Sequence, residues 1–329
     1  MTELERPLQL FIAEQTGHGA EVRDLKRIPG GFSYETWTFD AAWQDASGRH
    51  DERLILRRAP RGGVLEPYDA SKEFRVLRAL EGSPVPVPRA LWVDASGDVL
   101  GTSFYVMEFV EGEIPSTFDK QLPPELRSAM HREYTDTLAA LHSLDWAASG
   151  LEFLGVPEQT DDPAALELDR CAERLDRIAL RPYPALREVI EWLREHRPRC
   201  PKLVLVHDDY RMGNFIWRDG RIVAFLDWER AFIGDPMADV AFSRLEALAG
   251  WCSIRGEMAE RYQRRSGIEV DEERVAYYEI LENLKATLVG LTGLCAFAQG
   301  RTSDLRLVQI GRGAHHGIPM LTNAIGLGR

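Results

Sequence analysis

HDDYRMGN, residues 207–214, and FLDWE, residues 225–229, are the two stretches that decide the fold of this chain. Each stretch comes at the end of a short apolar run, residues 203–206 in the first case and residues 222–226 in the second. Short apolar runs bounded by polar and turn-forming residues are typical of buried strands. The sequence therefore predicts that both clusters of acidic side chains lie where a strand ends.

Three side chains in these stretches have a spacing that suits phosphoryl transfer. Asn214 lies five residues after Asp209, and Asp227 lies eighteen residues after it. Such transfer needs one carboxylate to meet the attacking hydroxyl, and an amide and a second carboxylate to hold Mg²⁺ on the nucleotide phosphates. A lone aspartate here would more often be a turn residue or a helix N-cap, but the set of three favours catalysis. We predict Asp209 as the catalytic base and Asn214 and Asp227 as Mg²⁺ ligands.

A longer series of motifs around these residues resembles the catalytic core of the aminoglycoside phosphotransferase family, relatives of protein kinases that phosphorylate small molecules. That family has His-Gly-Asp, four residues and Asn, then a strand ending in Asp-Trp or Asp-Phe, then Gly-Asp-Pro and Asp-Leu-Ala. In the same order this chain has His207-Asp208-Asp209, Asn214, Asp227-Trp228, Gly234-Asp235-Pro236 and Asp239-Val240-Ala241. The resemblance implies structural roles for Asp235 and Asp239.

One position departs from the family pattern. Asp208 stands where the family usually has Gly, which adopts positive φ at no steric cost. Asp is among the better-tolerated residues at positive φ. A second carboxylate beside Asp209 would be able to raise the pKa of Asp209 or to disturb the metal site. This departure keeps open an alternative function, a nucleotide-binding protein with a kinase-like fold and without catalysis.

The resemblance also implies a nucleotide site in the first third of the chain. A Gly-Gly turn between two predicted strands would fold over the phosphates, although such hairpin turns also occur without a ligand. Arg57 would hold the α- and β-phosphates, oriented by Glu73. Arg57 is preferred to Arg58 because it shares a strand face with Ile55. The predicted cofactor-binding residues are Gly30, Gly31, Ser33, Arg57, Glu73 and, at the adenine-binding hinge, Met107, Glu108 and Val110.

The order of periodic segments predicts an α+β fold. Strand-like runs at 22–28, 34–39, 53–58, 90–93 and 103–109 surround one amphipathic helix at 70–80, and long amphipathic helices follow. This order suits the bilobal protein-kinase-like fold that the resemblance implies. We predict a small β-rich N-terminal lobe for nucleotide binding at residues 1–110, with a hinge at its end, and a larger helical catalytic and substrate-binding lobe at residues 111–329.

Composition limits the class of partner and the compartment. The net charge of −12 argues against a nucleic-acid partner. The four cysteines form no CxxC pair, so neither a zinc site nor a disulfide framework is indicated. Charged residues near the N-terminus do not suit a signal peptide, and the most apolar helical stretch, residues 286–298, is shorter than the roughly 20 residues of a membrane span. We expect a cytoplasmic protein with no membrane partner; the oligomeric state is not indicated.

The sequence thus predicts an O-phosphotransferase that uses Mg²⁺ and ATP or GTP to phosphorylate a hydroxyl group of a small molecule. A less favoured alternative is a metal phosphohydrolase in which His207 and Asp208 form an HD pair with His131 and His142. The acceptor is not indicated by any motif. The resemblance implies a range from antibiotics and sugars to amino alcohols, amino acids and hydroxyacyl compounds.

Overall fold

In a computed structural model, which describes residues 3–115, 122–245 and 251–327, the N-terminal part contains an antiparallel sheet in the order β1-β2-β3-β5-β4. Helix α1 (Glu5–Thr16) precedes the sheet, and helix α2 (Ala70–Leu80) lies between β3 and β4 along the chain. The strands are β1 (Ala20–Arg27), β2 (Glu35–Asp45), β3 (Gly48–Arg58), β4 (Ala90–Asp94) and β5 (Phe104–Glu108).

Strand β3 is covered on both faces at its C-terminal end, which explains its uninterrupted apolar run. Leu54 and Leu56 point to one face and pack in the core formed with α1. Ile55 points to the other face and packs in the core that contains the buried side of α2. Because side chains alternate along a strand, Arg57 lies on the face of Ile55, toward α2.

Helices dominate the chain after residue 122. They are α3 (Pro124–His142), α4 (Pro163–Ile178), α5 (Pro184–Glu195), α6 (Met237–Phe242), α7 (Glu257–Ser266), α8 (Glu272–Ala298) and α9 (Leu305–Ala324). The fold is therefore α+β, with a small β-rich part and a larger helical part, as predicted. The boundary at residue 110 stays a prediction, because the apolar core around Ile55 continues from the sheet into the helices.

Helix α8 lies at the centre of the helical part, where it packs against α4, α5, α6 and α9. The apolar stretch at residues 286–298 is the C-terminal half of this 27-residue helix. Glu282 and Lys285 interrupt the apolar pattern, yet both are buried. By length and composition α8 could cross a membrane, but 67% of its most apolar stretch is buried inside the fold, as in a core helix.

Two small antiparallel sheets carry the motif loops. Strand β6 (Val204–Val206) pairs with β9 (Phe232–Gly234), and β7 (Phe215–Arg218) pairs with β8 (Arg221–Phe225). Residues 207–214 connect the first sheet to the second, and the segment after β8 returns to the first. The prediction that both acidic clusters emerge at strand ends is confirmed.

Gly112 lies in the segment that leads from the large sheet to the helices and has no room for a side chain. Its φ is 153°, and a Cβ atom there would overlap Ile216 and lie 2.7 Å from the carbonyl oxygen of Trp217. The neighbouring Glu113 exchanges two backbone hydrogen bonds of 2.8 Å with Trp217. The close approach therefore joins this segment to the hairpin of β7 and β8.

We expect Gly112→Ala to lower the free energy of unfolding by more than about 1 kcal/mol, because Ala is strained at this φ and displaces the hairpin. Denaturant unfolding measures the loss. Gly82→Ala is the matched control, since Gly82 also has positive φ, 76°, but a Cβ there would have nothing within 4 Å. An equal loss in both variants would mean that φ alone, and not the contact with the hairpin, sets the cost.

Candidate active site

His207 joins the two motif loops through its imidazole ring. Its Nδ1 accepts a hydrogen bond from the backbone N–H of Asp209 (3.1 Å), and its Nε2 donates to the carbonyl oxygen of Leu226 (3.0 Å). These partners require the neutral ring with the proton on Nε2. Burial lowers the pKa of His207, which favours that neutral form. His207 therefore positions Asp209 relative to the loop that contains Asp227.

Asp239 holds the backbone at the start of the first motif loop, residues 207–214. Its two carboxylate oxygens accept hydrogen bonds from the backbone N–H groups of His207 and Asp208, both at 2.8 Å. Its side chain is fully buried and also lies 3.1 Å from Nε2 of His142. Asp235 begins α6 by accepting a hydrogen bond from Met237 N. Both aspartates thus occupy structural positions, as the resemblance implies.

The carboxylate of Asp209 is held in one orientation by two donors. Nε of Arg211 lies 3.1 Å from Oδ1, and Nδ2 of Asn214 lies 2.7 Å from Oδ2. Asn214 Nδ2 also donates to the backbone carbonyl of Asp209 at 2.8 Å. The Asp209 side chain remains 20% exposed. The carboxylate therefore has a set direction and is still reached by solvent.

Asp208 has the backbone conformation that the family Gly suggests, with φ at 68°. Its carboxylate is buried and forms ion pairs with Nζ of Lys285 (2.5 Å) and Nη2 of Arg230 (2.9 Å). The carboxylates of Asp208 and Asp209 are thus bound to different partners. The second acidic side chain serves a buried ion-pair cluster instead of adding a free negative charge beside Asp209.

Arg57 lies at the centre of a group of carboxylates. Its Nη2 is 2.6 Å from Asp227, 3.6 Å from Glu73 and 3.9 Å from Glu229. Burial alone would lower the pKa of Arg57, but Asp227 and Glu73 raise it well above its usual range. Burial and then the charge of Glu73 raise the pKa of Glu229 to about 8. Three carboxyl groups therefore share one guanidinium.

The residues predicted to bind Mg²⁺ fit a hard divalent cation. Oδ1 of Asn214 is buried and has no hydrogen-bond partner, while its Nδ2 is fully used on Asp209. Such an orphaned buried oxygen calls for an unseen donor or ion. Asp227, with φ at 63°, lines the same cavity. An amide oxygen and a carboxylate oxygen are hard ligands of the kind that Mg²⁺ prefers.

A cavity of about 380 Å³ lies between the large sheet and the two motif loops. Apolar side chains such as Ile55 and Leu77 line one part of it, and Arg57, Asn214 and Asp227 line another. This division suits a ligand with a flat apolar end and a charged end. The sequence-predicted residues brought together in its lining are Gly30, Gly31, Arg57, Glu73, Met107, Glu108, Val110, Asn214 and Asp227.

Ser33 does not belong to that lining. Its hydroxyl instead donates a 2.5 Å hydrogen bond to Oε2 of Glu229, which ties the Gly-Gly turn to the loop after Asp227. Arg58 points to the opposite side of the sheet, toward Glu35 and the carbonyl of Leu100. Sequence reasoning missed Glu229, and the only signal for it was its position two residues after Asp227.

Sequence reasoning also missed Arg211, although it lies within the motif between Asp209 and Asn214.

The histidines that the phosphohydrolase alternative needs have other partners: His131 lies against the backbone of Ser253, and His142 against Asp239 and Tyr262. Across residues 3–115, 122–245 and 251–327, no group of three His, Cys, Asp or Glu side chains has the geometry of a metal site. The geometry therefore gives that alternative no support.

Comparisons with known proteins agree with this geometry. The model of the phosphotransferase enzyme family, APH, matches residues 24–278. Mouse acyl-CoA dehydrogenase family member 10 is 34% identical over 201 residues, 59% of this chain, and the chain spans only 18% of that relative's length. Aminoglycoside 3'-phosphotransferase of Enterococcus faecalis is 25% identical over 248 residues, which are 71% of this chain and 86% of that protein.

Solved structures share the fold over almost the whole chain. A Ralstonia eutropha protein assigned to the aminoglycoside phosphotransferases superposes with a TM-score of 0.71, at 21% identity over 97% of both chains. Aminoglycoside phosphotransferase APH(4)-Ia, in a ternary complex with AMP-PNP and hygromycin B, has a TM-score of 0.62 at 17% identity, over 97% of this chain and 99% of that one. The predicted family and kinase-like fold are confirmed.

Proposed function

Because the chain belongs to the phosphotransferase enzyme family, APH, we propose that it transfers the γ-phosphoryl group of ATP or GTP, with Mg²⁺, to a hydroxyl group of a small molecule. The observation that carries the proposal is that Asn214 and Asp227 line one cavity and that the Asp209 carboxylate lies 2.7 Å from Nδ2 of Asn214. The solved complex of a protein of this fold with AMP-PNP supports a nucleotide as the phosphoryl donor.

The proposed roles follow from the contacts of each side chain. Asn214 and Asp227 would hold Mg²⁺, which supplies positive charge for the nucleotide phosphates. Arg57 would contact the phosphates through its planar guanidinium, and Glu73, which is buried and accepts a hydrogen bond from Trp228 N, fixes that guanidinium from behind. The apolar side of the cavity would exclude water from the base of the nucleotide.

Asp209 would be the general base that removes the proton of the acceptor hydroxyl. Its carboxylate would accept the proton of the acceptor hydroxyl as that oxygen bonds to the γ-phosphorus and the bond to the β-phosphate oxygen breaks. Arg211 and Asn214 keep this carboxylate aligned before the acceptor arrives. Little reorganisation is then needed in the transition state, which is the main benefit of fixed polar groups.

A nucleotide titration tests the donor site first. We expect ATP or GTP at about 100 times its Kd to add roughly 2.7 kcal/mol to the free energy of unfolding. The midpoint of thermal unfolding should rise more with Mg²⁺ than without it, and Asp227→Ala should remove the Mg²⁺-dependent part. Asp219→Ala is the control for a nearby exposed aspartate. A stabilisation that does not depend on Mg²⁺ or on Asp227 contradicts the assigned metal ligands.

The acceptor is then found by release of ADP or GDP in the presence of candidate alcohols. The family comparison supports aminoglycosides, and the match to a protein named as an acyl-CoA dehydrogenase family member supports hydroxylated acyl compounds. The alternative of a nucleotide-binding protein without catalysis predicts nucleotide-dependent stabilisation and no transfer to any acceptor. Nucleotide binding together with Asp209-dependent transfer to one acceptor would exclude that alternative.

A further inference from the structure

A second cavity, of about 470 Å³, lies next to both motif loops, and its lining does not include Arg57. It is bounded by α2, α4, α8 and the loops themselves, since Asp208 and Glu229 are in its wall. Its titratable lining contains more basic than acidic side chains: Lys72, Arg75, Arg170, Arg174, Arg230 and Lys285 against Asp69, Glu167, Asp208 and Glu229.

The basic side chains of this cavity fall into two groups. Arg230 and Lys285 are paired with buried carboxylates, and Arg170 is paired with Glu167 at 2.6 Å. The other three have no carboxylate partner within the described part of the chain. Nζ of Lys72 donates only to the backbone carbonyl of Glu229, and the guanidinium of Arg75 stacks 3.6 Å above the ring of Phe153. Arg174, half-buried on α4, makes no ion pair or hydrogen bond there.

The pKa values of Lys72 and Arg174 agree with an excess of positive charge in this cavity. Burial, followed by the charge of Arg170, lowers the pKa of Lys72 to about 8, even though carboxylates of Glu167, Asp208 and Glu229 also face it. Burial and then the charge of Arg230 lower the pKa of Arg174. A pKa lowered by neighbouring cations means that the charged forms repel each other, and a bound anion would remove that repulsion.

We infer that the acceptor carries an anionic group, a carboxylate or a phosphate, which binds to Lys72, Arg75 and Arg174 in this cavity. The inference rests on the proposed function, because it names the class of molecule that the proposed transferase phosphorylates. The planar edges of the two guanidinium groups suit paired oxygens. The anionic group would be held beside the loops that carry Asp209 and Asp227, which leaves the rest of the molecule to present its hydroxyl. A polycationic aminoglycoside would be repelled.

Direct binding of small anions tests the site without any turnover. We would measure the binding of inorganic phosphate and, separately, of acetate by calorimetry, with no nucleotide and no Mg²⁺. The wild-type protein should bind at least one of them, and the one that binds more tightly identifies the group as phosphate or carboxylate. Arg174→Gln and Lys72→Gln should each weaken this binding about tenfold, the effect of losing one charge-assisted hydrogen bond.

Two further variants locate the bound anion. Arg132→Gln is the matched control, because Arg132 is an exposed arginine on α3 outside the cavity, and binding should not change. Arg57→Gln identifies an anion bound in the nucleotide cavity instead. Binding that is lost in Arg57→Gln but kept in Arg174→Gln and Lys72→Gln overturns the inference, as does the absence of binding by either anion. Circular dichroism of each variant separates lost binding from lost folding.

The acceptor screen separates this inference from the proposed function. If anions bind in the cavity but no acceptor is phosphorylated, the anion site stands and the phosphotransferase proposal fails. If only cationic acceptors are phosphorylated, the function stands and the inference is overturned. The expected result is that anionic alcohols are the best acceptors and that Arg174→Gln raises their KM about tenfold with little change in kcat, because it removes binding energy that is equal in the ground and transition states.

Discussion

Asp209→Asn is expected to lower kcat by about 10²–10⁴-fold, the usual contribution of a positioned general base. The amide cannot accept the proton of the acceptor hydroxyl, but it has nearly the same size and its oxygen can still accept from Arg211. The fold and the nucleotide site should therefore be preserved. Initial rates with the best acceptor from the screen, together with nucleotide-dependent thermal stabilisation, measure both effects.

The control for this prediction is Asp219→Asn. Asp219 lies at φ 52° in the exposed turn between β7 and β8, close in sequence to Asp209 but outside the cavity lining. Its rate and its nucleotide stabilisation should match those of the wild-type protein. If Asp209→Asn keeps a rate within tenfold of the wild-type value, the assignment of Asp209 as the base is wrong.

Asp208→Asn is expected to lower the free energy of unfolding by about 3 kcal/mol. The variant keeps a side chain that tolerates positive φ, but it removes a carboxylate that pairs with both Lys285 and Arg230, and breaking a buried ion pair usually costs about 3–5 kcal/mol. The loss should lie at the lower end because Glu282, also in contact with both cations, can ionise in compensation. Burial and the charge of Asp208 raise the pKa of Glu282 well above its usual range in the wild-type protein.

This compensation is itself testable by denaturant unfolding. Asp208→Asn combined with Glu282→Gln should lose more than the sum of the two single variants, because Arg230 then has no carboxylate partner among the described residues and Lys285 keeps only Glu167. Asp24→Asn is the control, since Asp24 also has positive φ and a lysine partner but is exposed, and its midpoint should hardly move. Strictly additive losses would show that Glu282 does not replace the charge of Asp208.

Helix and strand positions could largely be predicted where the pattern is local. The helix predicted at residues 70–80 has those bounds, because its apolar side chains recur with helical spacing and Asp69 caps its first turn. Strands β2 and β3 are longer than predicted, running to Asp45 and from Gly48. The added part of β3, residues 48–52, is polar and contains no strand-forming residue, so it is the backbone pairing with β2 that extends the hairpin.

The residues of the candidate site likewise divide into those that local spacing predicts and those that it does not. Asp209, Asn214 and Asp227 could be named from their spacing, because a short loop brings residues of one motif together. Arg57 and Glu73 needed the family resemblance, since strand and helix are separated in sequence. The nucleotide-binding role of Ser33 stays a prediction, and its contact with Glu229 could not be foreseen, because 196 residues separate the two and no sequence pattern links them.

The sequence by itself determined the elements and the motif loops of this protein, because periodicity, turn residues and short-range spacing act between neighbours along the chain. Only the tertiary structure decided which charges are paired. Asp208 pairs with Lys285, 77 residues away in sequence, whereas Lys72 and Arg174, brought to one cavity by α2 and α4, form no ion pair among the described residues. The free energy of a charge depends on burial and on what lies within a few ångströms, and both follow from the packing of distant segments.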